Sequence, residues 1–203
     1  MARPPSVRDD ELYDRLAEVF RIAGYEGASL GALAEAAQLR RASLYHRFPD
    51  GKAQMAEAVL DRVGRLHDSL LEPMRTDPDA RAGIAKSAQR ISEFYGGGLL
   101  SCVLDTLPLS GAPDGVRRKA AGVAEGWIAA MADVARRAGR PASEARPAAE
   151  DAFARIEGGL VYGRLFADGA PFQRALDELP ALLLGQPGSA SDLSSASDLS
   201  SAG

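Results

Sequence analysis

The sequence predicts an all-α fold in which a three-helix unit precedes a longer helical bundle. Three observations predict it. Apolar residues recur three and four positions apart over most of the chain, the spacing of one face of a helix. No segment alternates apolar and polar residues with period two long enough to suggest a sheet. Gly- and Pro-bearing breaks divide the chain at helical lengths: Pro49-Asp50-Gly51, Gly96-Gly97-Gly98, Gly111 to Pro113, Gly139 to Pro141 and Gly169 to Pro171.

The elements follow in order. Leu12, Leu16, Val19, Phe20 and Ala23 line one face of a first helix that Gly24 ends. Ser29 is placed to cap a short second helix bearing Leu30, Leu33, Ala34 and Ala37. A third short helix runs over 40–47, with Leu44 and Phe48 as its apolar residues. A long helix over 52–72 puts Met55, Val59, Val63, Leu66 and Leu70 on one face, and Pro73 closes it. Further helices are expected over 78–95, 98–107, 113–138, 144–167 and 171–184. This gives an N-terminal domain over 1–52, a connecting helix over 52–72 and a second domain over 73–185. Residues 186–203 contain Ser-Ala-Ser-Asp-Leu-Ser twice in tandem, too polar and simple to bury anything, and are expected to be disordered.

Composition excludes several functions. With 46% hydrophobic and 26% charged residues the chain is of ordinary globular type. No apolar run approaches the ~18 residues that span a bilayer, and Met1 to Arg8 lack the apolar core of a signal peptide, so a cytoplasmic protein is expected with no membrane partner. Cys102 is the only cysteine, which rules out an internal disulfide. With His46 and His67 far apart, no zinc-ligand spacing is visible and no metal or cofactor is expected. There is no Gly-rich phosphate loop and no nucleophile motif, so no catalytic residue is assigned and an enzyme is not expected. The net charge of −4 argues against a wholly basic polyanion binder but leaves room for a local basic patch.

Such a patch exists. Between Leu39 and Phe48 there is no acidic residue, while Arg40, Arg41, His46 and Arg47 fall there and Lys52 follows. Two short helices joined by a tight turn form a recurring DNA-binding unit, the helix-turn-helix. Arg can pair bidentately with guanine in the major groove, and Ser, Tyr and Lys suit phosphates. On charge alone, a solvated basic helix explains the same residues equally well.

The whole segment from Leu16 to Val59 is more specific. Phe20 with Gly24-Tyr25, then Ala28-Ser29-Leu30, Leu33-Ala34, Ala36-Ala37, Ser43-Leu44-Tyr45, Phe48-Pro49 and Lys52 together resemble the TetR family of bacterial regulators. The form Ser-Leu-Tyr-His-Arg-Phe-Pro-Asp-Gly-Lys is similar to the LmrA/YxaF branch, with its extra residue before the lysine. The resemblance implies a helix-turn-helix DNA-binding domain joined to a helical ligand-binding and dimerisation domain. It implies a homodimer on a palindromic double-stranded operator, released by a small-molecule effector. By resemblance Arg41, Ala42 and Ser43 face base edges, while Ser29, Tyr45, Arg47 and Lys52 grip phosphates. His46 either touches a phosphate or packs. The chain departs from the family at Gln38, where a turn glycine is usual and where Gln fits if φ stays negative. It departs also at Arg40, where a capping Ser or Thr is usual, and at Gly31, near a position that is often polar.

Two stripes stand out in the second half. Ala152, Ile156, Gly159 and Gly163 share one helix face, and Phe172, Leu176, Leu179 and Leu183 another. Glycine inside a helix costs about 1 kcal/mol against alanine, which close approach of another helix would offset. The stripes therefore face either a second subunit or the chain's own core, and the resemblance favours the subunit. Phe94, Cys102, Trp127, Met131, Tyr162 and Phe166, with Arg164 nearby, either line an effector pocket or fill the core. Trp127 stands beside Gly126 on an alanine-rich helix, where an indole leaves room beside it. A helical small-molecule binder without DNA activity is the alternative function.

Overall fold

The computed structural model describes residues 8–108 and 111–185; the tail expected over 186–203 lies outside the described residues. Those residues form ten α-helices: α1 (Asp9–Gly27), α2 (Leu30–Ala36), α3 (Arg41–Arg47), α4 (Lys52–Thr76), α5 (Ala80–Phe94), α6 (Val103–Thr106), α7 (Asp114–Arg137), α8 (Ala142–Phe166), α9 (Ala170–Asp177) and α10 (Leu179–Leu184). No strand occurs among the described residues, in line with the all-α expectation.

One buried apolar core runs from Leu12 to Leu183 without interruption. At its N-terminal end Leu12, Leu16 and Phe20 of α1 meet Leu33 of α2, Leu44 of α3 and Met55 and Val59 of α4. Beyond it α4 packs on α5 and α7, α7 on α8, and α8 on α9. The long α4 thus belongs to both ends of the molecule.

Several boundaries differ from the sequence expectation, each for a physical reason. Pro73 does not close α4; the helix continues to Thr76. A proline inside a helix strands the carbonyl four residues back. Here that carbonyl, Ser69 O, accepts from the Arg90 guanidinium of α5 at 2.8 Å. The expected helix over 98–107 shrinks to Val103–Thr106, because Gly96, Gly97 and Gly98 all take positive φ and form a tight 3-10 turn. The expected helix over 171–184 is two, α9 and α10, with Pro180 in the first turn of α10, where its missing N–H costs nothing. Gln38 adopts φ +54°, not the negative φ expected of it.

The stripes of the second half are corrected too. Ala152, Ile156, Gly159, Gly163, Phe172, Leu176, Leu179 and Leu183 are all buried within the single chain. A Cβ at Gly159 would fall 2.6 Å from Phe172 Cα, so glycine is what lets α9 lie against α8. At Gly163 a Cβ would collide with the Gly98 carbonyl. The periodicity marked buried faces correctly, but they meet inside one subunit and cannot be the surface offered to a second.

Candidate functional site

Helix α3 is held from below by two side chains. Leu44 and Phe48 are buried, and Tyr13 meets the Phe48 ring edge-on at 6.3 Å. Every other α3 residue is exposed, so Arg41, Ala42, Ser43, Tyr45, His46 and Arg47 form a solvent face, with Arg40 exposed just before them. His46 is therefore not a packing residue. Ser29 caps α2, its Oγ accepting from Ala32 N at 3.1 Å, and remains exposed. Arg40 starts α3 with no side-chain cap. The Arg41 guanidinium lies over the first turn of α2, where a Cβ at Gly31 would come within 2.9 Å of its Nη2. Gly31 thus makes space for Arg41 rather than supplying a polar contact of its own.

Two of the expected phosphate ligands have intramolecular partners. Arg47 pairs with Asp9 at the start of α1. Lys52 sits 4.5 Å from the centroid of the Tyr25 ring and donates to Glu26 O at 3.4 Å. The turn between α2 and α3 is closed by Leu39 N donating to Ala34 O at 3.0 Å and Gln38 N to Glu35 O at 2.9 Å. The left-handed φ of Gln38 makes that closure.

The residues expected to line one effector pocket are not brought together. Tyr162 and Phe166 meet at a tilt, with ring centroids 4.5 Å apart, and lie exposed on the outer side of α8. Phe94, Cys102, Trp127 and Met131 lie inward. Met131 and Cys102 are fully packed. Trp127 borders a cavity of about 370 Å³ between α4 and α7, shared with Gly64, His67, Gly122 and Gly126. A second cavity of about 360 Å³ lies between α6, α7 and α8. Its walls include Leu104, Pro108, Ala120, Ala124 and Phe153, with Glu157 among them. Phe153 meets Trp127 at 6.2 Å, so the two aromatic rings stand between the cavities.

The outer face of α8 is unusual for a solvent surface. Val161, Tyr162, Leu165 and Phe166 are exposed, Leu165 by 72% and Phe166 by 64%, and Leu99 and Leu100 are exposed as well. An apolar patch of this kind marks an interaction site.

Comparison with known proteins agrees with this geometry. A family model described as bacterial regulatory proteins, tetR family, matches residues 12–59, which are α1 to α3 and the start of α4. The HTH-type transcriptional regulator LmrA of Bacillus subtilis (strain 168) is 24% identical over 187 residues, covering 86% of this chain and 95% of that protein. Residues 12–59 thus match the DNA-binding segment of the TetR family, and the chain as a whole is similar to TetR-family regulators. With that segment it is a DNA-binding transcriptional regulator. Its fold matches a TetR transcriptional regulator from Legionella pneumophila with a TM-score of 0.77 at 19% identity, covering 87% of this chain and 97% of that one. It matches a cysteine mutant of the TetR-family regulator CifR, solved with 26-base-pair operator DNA and in apo form, with a TM-score of 0.71 at 25% identity, covering 91% and 100%. Among the described residues this regulator has no helix long and apolar enough to cross a membrane.

Sequence reasoning missed two residues of the regulator's interior. His67 lies on the buried face of α4, four positions after Val63, and hydrogen-bonds Trp127 and Tyr95. Burial lowers its pKa to about 4, with Asp68 opposing and Arg21 assisting. Glu157 follows Phe153 by four on α8, and burial raises its carboxyl to about 7. The signal in both cases was a titratable residue at helical spacing from apolar neighbours, on a face that otherwise reads as core.

Proposed function

We propose that this chain is a TetR-family repressor that binds a palindromic operator as a homodimer and leaves it when a small apolar ligand occupies its C-terminal helices. The observation that carries this reading is the exposed, acid-free surface of α3 on two buried anchors. A helix so mounted can enter the major groove with its N-terminal side chains on base edges. Arg41 is then the candidate for guanine and Ala42 for a thymine methyl, with Ser43 beside them. Ser29, Tyr45, His46, Arg47 and Lys52 serve phosphates, with Arg40 at the uncapped end of α3. The structural likeness to CifR, whose solved form holds operator DNA, supports the same docking.

On this reading residues 1–52 contact DNA, while 73–185 hold the effector and the dimer surface. The dimer surface is the exposed patch of Val161, Tyr162, Leu165 and Phe166, and it replaces the buried stripes first expected there. The effector is best accommodated in the cavity between α6, α7 and α8, whose walls are mostly apolar and whose α6 touches the DNA-binding end. Thr106 Oγ1 of α6 donates to Phe20 O of α1 at 3.4 Å. The protein acts where the chromosome is, in the cytoplasm. Selection of bound sites from random duplexes tests the reading. It should return a two-fold symmetric sequence bound far more tightly than unrelated DNA at the same salt. Equal binding to all duplexes would overturn the proposal.

A further inference from the structure

The cavity between α6, α7 and α8 carries one polar feature that packing alone does not explain. Its walls are mostly aliphatic and aromatic, and Asp105, Arg117 and Glu157 are the charged residues among them. Glu157 Oε2 is shut off from solvent and has no hydrogen-bond partner among the described residues. Buried polar atoms are as a rule satisfied, so an orphaned carboxylate oxygen at a cavity wall needs an explanation.

The neighbouring charges are already matched. Asp105 is paired with Arg164, which donates to its two oxygens at 2.7 and 3.3 Å. Arg117 donates to Ala112 O at 2.5 Å and pairs with Asp114. On the far side Cys102 holds the Glu157 pKa down, and its sulfur accepts from the Tyr95 hydroxyl at 3.2 Å. Arg164 is near enough to lower the Glu157 pKa but is committed to Asp105, so among the described residues Glu157 is the carboxylate at this cavity without an ion pair and with an oxygen left to accept. A negative group in an apolar hollow selects a positive group on an apolar body.

We propose that this cavity binds a lipophilic amine, its protonated nitrogen donating to Glu157 and its apolar body lying against Leu104, Pro108, Ala124 and Phe153. The volume of about 360 Å³ suits a small ligand, at the low end of ordinary ligand sites. That such an amine acts as the effector rests on the regulatory reading above; the binding site does not.

Calorimetric titration of the full chain at about pH 8 with phenylbutylamine, phenylbutanol and phenylbutyrate tests the assignment. The three share one apolar body and differ in the head group. The amine should bind about tenfold more tightly than the alcohol, and the carboxylate most weakly. In Glu157→Gln the amine should lose that advantage while the alcohol binds as before. Ala124→Trp, which fills the cavity, should abolish binding of both, and thermal melting confirms that each variant is folded. Equal binding of amine and alcohol to the parent, an advantage that survives Glu157→Gln, or no binding of any probe overturns the proposal. Operator titration on the same preparations separates the two readings. Glu157-dependent amine binding without operator release keeps the site and removes the effector role; loss of all specific DNA binding in the parent removes the repressor reading alone.

Discussion

The indole N–H of Trp127 donates to Nδ1 of His67 across 2.9 Å, wholly inside the protein. An indole can only donate, so Nδ1 must accept and the neutral imidazole carries its proton on Nε2. That nitrogen faces the Tyr95 hydroxyl at 3.2 Å, and Tyr95 in turn donates to Cys102 Sγ at 3.2 Å. The chain of bonds ties α7 through α4 to the end of α5 and the turn before α6. It answers the question posed by a lone tryptophan on an alanine-rich helix: Trp127 is core and hydrogen-bonded, and only its edge borders a cavity. Trp127→Ala should therefore cost about 3–5 kcal/mol and leave His67 Nδ1 without its donor. A variant that melts like the parent would show that the indole is not structural.

The same histidine sets an acid limit on stability. His67 in the unfolded chain titrates near 6.5 and in the folded protein near 4, chiefly because burial penalises the imidazolium. Above pH 6.5 both states are neutral and the fold keeps its full stability. As pH falls from about 6.5 toward 4 the unfolded chain takes up a proton that the native state refuses, and stability drops. The loss is complete below both values and amounts to at most about 3 kcal/mol. Asp68 raises this pKa and Arg21 lowers it, while Phe94, Tyr95 and Trp127 enclose the ring. Melting curves between pH 4 and 7, with His67→Gln for comparison, measure the slope. A flat parent profile in that window contradicts the burial argument.

Glu157 acts in the opposite direction. Its carboxyl is raised to about 7 by burial, with Asp105 pushing the same way and Cys102 and Arg164 opposing. A carboxyl whose folded pKa lies above its unfolded value of about 4.3 holds its proton in the native state while the unfolded chain ionises. Stability should fall as pH rises from about 4.3 to 7 and stay low above. Glu157→Gln removes the titration, so it should raise the melting temperature at pH 8 and do little at pH 5. An equal gain at both values would assign the effect to packing rather than charge.

Gln38 sits at φ +54°, in the left-handed region that a side chain rarely adopts. The turn between α2 and α3 requires it there, because Leu39 N must reach back to Ala34 O. Gln38→Gly should stabilise the protein by about 0.5–1 kcal/mol with operator affinity unchanged. Chemical denaturation measures the first part and operator titration the second. A destabilised variant would mean the glutamine side chain does something the backbone argument leaves out.

The sequence and the structure part company where a partner has to be identified. Helix α8 repeats Ala152, Ile156, Gly159 and Gly163 on one face, and that spacing says only that the face is covered. Whether Phe172 covers it from the same chain or another is a matter of how the Gly96–Gly98 turn and α9 fold back, which no local pattern encodes. The helix-turn-helix was legible because its signals are local: Ser29 as cap, Leu33, Leu44 and Phe48 at fixed spacing, and charge confined to one short helix. Glu157 and His67 escaped because a titratable residue on an apolar face looks the same whether it points into a cavity or out to water.

Assembly can now be tested on the right face. Leu165 and Phe166 are largely exposed on α8, so Leu165→Glu with Phe166→Glu should convert dimer to monomer in light scattering with little change in monomer stability. Gly159→Leu should behave differently, because its Cβ alone would fall 2.6 Å from Phe172 Cα. Overpacking of this kind costs about 1–3 kcal/mol or more, so the variant should lose stability first. If the double glutamate variant stays dimeric, the subunits meet elsewhere.

Recognition of DNA gives the last prediction. The resemblance assigns Arg41 to base edges and Lys52 to phosphates, and their surroundings differ accordingly. Arg41 is exposed with its guanidinium over Gly31, at the N-terminal end of α3 where base edges are reached. Lys52 is drawn back against Tyr25 and the Glu26 carbonyl. Arg41→Ala should therefore cost about 1–3 kcal/mol at the preferred operator and relax the choice of one base pair. Binding to unrelated duplex should weaken much less. Lys52→Ala should weaken binding to specific and unrelated duplexes alike and lower the salt slope by about one, the mark of a lost phosphate contact. It should also soften the junction of α1 and α4, since the cation over Tyr25 is worth about 0.5–1 kcal/mol at such a site. Salt-dependent titrations of both variants on specific and unrelated duplexes distinguish the roles. A loss of base preference in Lys52→Ala, or a uniform loss in Arg41→Ala, would reverse the assignment of the two residues.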